Sequence, residues 1–291
     1  SVTDDKISIR NDGPGIPIVK HKEHDVYIPE LIFSQFLTST NYNDDQKRIK
    51  SGLNGLGAKI TSTFSKLFQI ETVSKGKVYQ QNFLDNLDNI EEPTIKKSKA
   101  KDYTKITFFP DFKRFKVKQI TPSTLELLKK RTYDIAAFTN KKVKLTFNGE
   151  QLTVKSFSEY VDLFLPTPEL RKEKIIIEEE RWKIAIASSP FDSFTQVSFV
   201  NGINTMNGGT HIKYVIDPII KKITEKYQKK TKDTQIRPSF LRDNMFVVVL
   251  ATIENPEFKS QAKEELTSKP QQFGSHLEID DTIIKKIEKM D

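Results

Sequence analysis

The sequence predicts an α+β protein built as two α/β sandwich domains with mixed sheets. Three observations lead there. Segments that alternate with period two and segments with helical spacing follow one another without a strict βαβ rhythm. A chain of 291 residues with 36% hydrophobic content can bury two cores. A hairpin signal at Asn148-Gly149 stands mid-chain, and a boundary just after it gives domains 1–153 and 154–291.

Taken in order, Ile7 and Ile9 alternate with polar residues and make a strand that enters the turn "NDGPGIP". That strand is already under way at the first residues, so the expectation is a segment of something longer. "YIPELIFSQFLTST" reads as a helix with Pro29 in its first turn. After the polar stretch "NYNDDQKRIKS", a second helix starts at or just after Gly57, with Ile60, Phe64 and Leu67 at helical spacing. Strands are expected at "FQIETV", "KVYQQNF" and "YTKITFFP". A long helix then runs over 121–139, with Thr121 as N-cap and Pro122 just inside.

In the second half, strands are expected in "KIIIEEERWKIAIASS" and "TQVSFVNGINT". A helix follows over 210–227, entered through Gly208 and Gly209 and capped by Thr210. The apolar strand "NMFVVVLATIENP", a short helix at "SQAKEEL" and a C-terminal helix complete the chain.

Composition bounds the function. Lys and Arg number 47 against 39 Asp and Glu, a net charge of +8, which suits either a polyanion partner or a basic solvated surface. With no cysteine, disulfides, thiolate catalysis and Cys-ligated zinc are excluded. No apolar run approaches the ~18 residues of a membrane span. His21, His24, His211 and His276 show no spacing for a metal site or a nucleophile triad, and no metal ligand is assigned.

The stretch "SGLNGLGAKI" gains its meaning from the blocks beside it. Glycines 52, 55 and 57 free the backbone for positive φ and for close approach to a ligand. Followed by a helix start near Ala58 and by Lys59, they form an anion cradle, a flexible linker or a tight turn before a helix. Neither the P-loop nor the dinucleotide fingerprint fits, because Gly57-Ala58-Lys59-Ile60 lacks the required residues.

Three blocks in this order, "IRNDGPGIP", "LTSTNYNDD" and "SGLNGLGAK", resemble the ATPase region of eukaryotic-type type IIA DNA topoisomerases. Later blocks extend the resemblance over the whole chain: "YTKITFFPDFKRF", "RTYDIAAFT", "SFVNGINTMNGGTH", "IENPEFKSQAKEELT" and "FGS". It implies a partial Bergerat (GHKL) ATPase fold followed by a ribosomal-protein-S5-like transducer domain. It also implies ATP and Mg2+ as cofactors. Asn11 would meet the adenine edge, with Gly13 and Gly15 making room for the base. Ser39, Thr40 and Asn41 would face ribose and phosphate, and the lid Gly52, Leu53, Asn54, Gly55, Leu56, Gly57, Ala58 and Lys59 would wrap the triphosphate. Gln261, Ala262 and Lys263 match a loop whose lysine reaches the γ-phosphate, which gives Lys263 the catalytic role. Leu53 replaces a residue usually basic in the family, and Ala262 one that is usually threonine.

The resemblance further implies a homodimer closing on double-stranded DNA, with Lys229, Lys230 and Lys232 facing its phosphates. The setting would be the nucleus for a eukaryotic source, or a host or virion compartment for a viral one. The family's water-activating glutamate and magnesium-holding asparagine lie on a preceding helix, and its DNA-cleaving tyrosine on another region. The expectation is therefore that this chain alone neither turns over ATP appreciably nor cleaves DNA. The alternative is a non-catalytic ATP-dependent clamp or chaperone-like module with the same nucleotide fold; "IENPEFKSQAKEEL" favours the topoisomerase.

Overall fold

Period-two alternation in the first half does produce strands. The computed structural model describes residues 1–36, 47–49, 55–139, 142–191, 193–230 and 236–290. In chain order the first half contains β1 (Ile7–Asn11), α1 (Ile28–Ser34), α2 (Gly57–Thr63), β2 (Ser65–Ser74), β3 (Lys77–Leu84), β4 (Asn89–Ile90), β5 (Thr94–Lys97), β6 (Tyr103–Pro110), α3 (Pro122–Phe138), β7 (Thr146–Phe147) and β8 (Glu150–Gln151). The second half contains α4 (Phe157–Asp162), α5 (Pro168–Glu173), β9 (Ile175–Glu178), β10 (Trp182–Ser188), β11 (Thr195–Val200), β12 (Ile203–Asn204), α6 (Thr210–Lys230), α7 (Pro238–Asp243), β13 (Met245–Ala251) and α8 (Asp281–Ile287).

Two compact units result: residues 1–42, 52–132 and 145–152 make one, and 43–51, 133–144 and 153–291 the other. The division is less sequential than a single cut near 153, and specific contacts account for it. Asp134, near the end of α3, accepts a 2.8 Å hydrogen bond from the buried Tyr160 hydroxyl, and Phe138 packs edge-on against Phe199. Burial of a polar pair needs that bond, so the helix end is committed to the second core.

In the first unit the main sheet runs β1-β6-β2-β3-β4, with β5 on β3, and its pairings are antiparallel. Phe68, Ile70, Tyr79 and Phe83 point to one face, where Phe33 of α1 covers them. Thr121 caps α3 as its position suggests, accepting from Thr124 N–H at 3.2 Å. The Asn148-Gly149 turn has φ of 49° and 87°, as a two-residue hairpin requires, and it joins the short β7 and β8.

The second unit centres on β13, whose seven residues "MFVVVLA" are all buried. A strand buried on both faces reads as a continuous apolar run. It pairs antiparallel with β10 and parallel with β11, in the sheet order β12-β11-β13-β10-β9. One face is covered by α6 through Ile212, Val215, Ile216, Ile219, Ile220 and Ile223, the i, i+3, i+4 stripe of an amphipathic helix. On the other, Phe164 meets Phe246 and Tyr160 meets Phe199.

Buried among these elements, His211 shows no surface and faces Thr205 Oγ1 through Nε2 at 3.2 Å. Loss of hydration pushes its imidazole down to about 3. Because the folded ring stays neutral while the unfolded one protonates near ~6.5, its contribution is present above ~6.5 and declines as pH falls toward 3. Between pH 6.5 and 5 the expected loss is about 2 kcal/mol. Urea unfolding at both pH values measures it, and His211→Gln should remove that part of the pH dependence.

Candidate functional site

Asn11 ends β1, exposed, and lies directly opposite Thr104 of β6; Thr104 in turn lies opposite Thr72 of β2. Side chains opposite one another across strands share a face. The result is a polar row at one end of the sheet. Thr72 Oγ1 accepts from Ile16 N–H at 2.9 Å, donates to Tyr103 O at 3.0 Å and meets Thr104 Oγ1 at 3.1 Å. Those bonds hold the turn after Asn11 against the sheet.

Gly15, at φ 69°, is there for the same packing. A Cβ at this residue would sit 2.0 Å from Val73 O, so the glycine lets the turn touch β2. A Cβ on Gly13 would lie 3.0 Å from Asn11 Nδ2, so Gly13 leaves room for the asparagine side chain. Thr72 and Thr104 escaped the sequence reading, because only the strand register brings them beside Asn11.

Of the glycine lid, Gly55 through Lys59 are described; Ser39, Thr40, Asn41, Gly52, Leu53 and Asn54 lie outside the described residues. Gly55 has φ of 60°, the left-handed conformation that glycine permits. Gly57 opens α2 instead, and no described atom lies within 4 Å of where its Cβ would be. Ile60 N–H to Leu56 O, at 2.9 Å, is the first bond of that helix. The amides of Gly57 and Ala58 precede it, and an α-helix offers its first N–H groups no intrahelical acceptor. The helix is shorter than its apolar spacing suggested: Phe64 terminates it and Leu67 already lies in β2.

Lys59 differs from the expected exposed cation of a phosphate cradle. Its side chain is buried within the first unit, and loss of hydration holds its ammonium below the usual lysine range. What this stretch presents is mainly backbone N–H.

In the second unit, "SQAKEEL" is a turn rather than the expected helix. Lys263 has φ of 60°, which a right-handed helix cannot accommodate, and its N–H bonds Ser260 O at 3.0 Å. The flanks pair with one another: Lys259 N–H to Glu265 O at 3.1 Å and Thr267 N–H to Glu257 O at 2.9 Å. Gln261 and Ala262 are exposed at the tip, with Lys263 half-buried beside them. Desolvation, with the charge of Arg48 second, lowers the Lys263 ammonium from its ordinary value.

The base of this loop rests on "NGGT". Leu266 N–H bonds Gly208 O and Thr210 N–H bonds Leu266 O, each at 3.1 Å. A Cβ on Gly209, at φ 136°, would stand 2.3 Å from Leu266 O. Thr210 is the first residue of α6 rather than its cap, since Ile212 N–H bonds Gly209 O at 3.2 Å; the Thr210 hydroxyl donates to Ser268 O at 2.6 Å. Gly208 to Thr210 thus form the seat of the Lys263 loop.

The basic stretch after Ile219 is partly internal. Lys222 donates to Ile279 O at 2.8 Å and pairs with Asp281 at 3.2 Å, while Lys226 pairs with Glu288. Lys229 is exposed; Lys232 and the side chain of Lys230 lie outside the described residues. Folding also brings together His21, Glu23 and His24, whose ligand atoms lie within 4.8 Å of one another on a loop. Their sequence spacing gave no sign of this, and the His21 ring is engaged, Nδ1 accepting from Glu23 N–H at 3.3 Å.

A family model described as DNA gyrase B matches residues 136–290. The chain is 42% identical over 291 residues to DNA topoisomerase 2 of Acanthamoeba polyphaga mimivirus, covering 98% of this chain and 23% of that protein. It thus spans less than a quarter of that relative's length. Among solved structures it resembles the ATPase region of Saccharomyces cerevisiae topoisomerase II, with a TM-score of 0.90 and 39% identity over 99% of this chain and 75% of that one. The ATPase and transducer domains of DNA topoisomerase II from Balamuthia mandrillaris match with a TM-score of 0.90 and 36% identity, over 98% of this chain and 73% of that one.

Proposed function

Since the chain belongs to the DNA gyrase B family, and within it to the ATPase region of eukaryotic-type DNA topoisomerase II, we propose that it is the nucleotide-operated gate of such an enzyme. The likeness to that ATPase region along nearly the whole chain is the observation that carries this reading.

ATP and Mg2+ are the cofactors. Residues 1–153 act as the nucleotide domain and 154–291 as the transducer, with the end of α3 packed into the transducer core. Asn11, backed by Thr104 and Thr72, offers an amide to the adenine edge. Ser39, Thr40 and Asn41 take the ribose and phosphate side, and Gly52 through Lys59 the triphosphate. The left-handed Gly55 and the helix start at Gly57 suit this, because main-chain N–H groups bind phosphate oxygens without a side chain intervening. Mg2+ would neutralise phosphate charge when bound, and no residue of this chain is assigned to it.

Lys263, with Gln261 and Ala262 on its loop, meets the terminal phosphate. A desolvated ammonium gains more from an anion than one in bulk water does. That contact exists with ATP and not with ADP, so it is the differential free energy that can favour the closed state of the gate. Two copies close on each other around a DNA duplex, and Lys229, Lys230 and Lys232 neutralise backbone phosphates irrespective of sequence.

The test is strand passage by the intact protein, expected with ATP and absent without nucleotide. ATP-independent passage would contradict the reading. Neutralising Lys229, Lys230 and Lys232 together should reduce the slope of log affinity for duplex DNA against log salt by up to about 3, roughly one per lost phosphate contact. An unchanged slope would remove these lysines from the DNA path.

A further inference from the structure

Residues 47–49 come from the first half of the sequence, yet they pack within the second unit. Arg48 and Asn255, 207 positions apart, form a reciprocal pair. Arg48 N–H donates to Asn255 Oδ1 at 3.1 Å, and Asn255 N–H donates to Arg48 O at 2.8 Å. This imitates an antiparallel bridge, with a side-chain carbonyl standing in for one strand's backbone. Asn255 has φ of 43°, a conformation asparagine adopts more readily than most L-residues.

Glu254 completes the receptor. It accepts from Arg181 Nη1 at 2.9 Å and pairs with Lys47 Nζ at 3.2 Å, while Arg181 also donates to Gly274 O at 3.2 Å. Hydrogen bonds from Arg181 and Lys47 hold its carboxyl below the usual carboxylate range. Gly274 is at φ 71°, and a Cβ there would fall 2.1 Å from Glu254 Cδ, so the glycine leaves the space this carboxylate occupies. The Lys47 side chain is 78% exposed, so that ion pair is the weaker contact, and the Arg48–Asn255 pair anchors the segment.

Arg48 is near enough to Lys263 for its charge to be felt there. Gly55, at φ 60°, follows Arg48 by only seven positions, so Arg48 tethers the chain close in sequence to that glycine. We infer that Glu254 and Asn255 are positioning residues that anchor the Lys47–Arg48 arm beside the Lys263 loop and thereby raise affinity for the nucleoside triphosphate. The inference rests on the nucleotide reading given above.

The experiment uses the intact enzyme. Asn255→Gly keeps the backbone conformation and loses the acceptor; Asn255→Asp keeps both. With Asn255→Gly the KM for ATP should rise about tenfold, the scale of one lost structural hydrogen bond and a loosened arm, with kcat within about twofold. Hydrogen exchange at the Arg48 amide should accelerate in the same variant. Asn255→Asp should stay within about twofold of the parent in KM and preserve the protection. Glu254→Gln, which keeps the shape and removes the charge, should move KM the same way by a smaller factor. Faster exchange with unchanged KM would make the pair merely structural and overturn the inference; unchanged exchange would overturn it too. Lys263→Ala is assayed alongside. If that variant loses its preference for ATP while Asn255→Gly keeps its KM, only the anchor is wrong. If Lys263→Ala changes nothing, the nucleotide reading and the anchor fall together.

Discussion

Replacing Gly57 by valine lowers affinity for ATP by about a hundredfold, while the melting temperature moves by no more than about 2 °C. The two halves of this expectation come from one geometric fact. No described atom lies within 4 Å of a Cβ at Gly57, and the residue sits in the first turn of α2 rather than at positive φ. The fold therefore accommodates the side chain, and helix propensity favours valine over glycine there by roughly 0.3 kcal/mol. A triphosphate approaching the amides of Gly57, Ala58 and Lys59 would not accommodate it. Hydrogen bonds to a charged group contribute about 1.5–3 kcal/mol each, so one or two lost amide contacts give the stated factor. Calorimetric titration with a non-hydrolysable ATP analogue, beside a thermal melt, measures both quantities. Undiminished affinity would remove Gly57 from the phosphate site; a large drop in melting temperature would mean the glycine serves the fold.

Lys263→Ala narrows the difference in affinity between ATP and ADP by about 10- to 100-fold, with ADP affinity nearly unchanged. An interaction confined to the γ-phosphate must appear as a difference between these two ligands. A general contribution of positive charge would weaken both. The structure favours a specific loss, because Lys263 is held at the tip of a turn whose flanks pair with each other and whose base rests on Gly208 to Thr210. Deleting its side chain beyond Cβ disturbs none of those backbone bonds. Parallel loss for ATP and ADP would argue for a diffuse electrostatic role.

The second core was readable because its signals are long and redundant. The isoleucine stripe of α6 and the unbroken apolar run of β13 each identify an element without knowledge of the partner. "SQAKEEL" misled because its helix-forming composition is overridden by tertiary pairing: Leu266 is bonded to Gly208 and Thr210, and Lys263 takes a left-handed conformation. Lys59 misled for a related reason, since a lysine after a glycine loop carries no sign in the sequence of whether it faces solvent or the interior.

Within the candidate site, motifs named the glycines, Asn11 and Lys263 but not what supports them. Thr104 and Thr72 become neighbours of Asn11 only through strand register, and Asn255 meets Arg48 across 207 positions. Interactions of that range leave no local periodicity. The seat formed by Gly208 and Gly209 is an intermediate case, where the glycines were legible as a tight turn but their contact with Leu266 was not.

We propose that main-chain amides near Gly55 and Gly57 and the ammonium of Lys263 act on one triphosphate. The most direct measurement of this is a crystal structure of the intact gate with a non-hydrolysable ATP analogue. Phosphate oxygens are expected within about 3 Å of the Gly57 amide, with Lys263 Nζ at the terminal phosphate. Glycine amides left bare, or a Lys263 side chain turned to bulk solvent in the closed dimer, would contradict it.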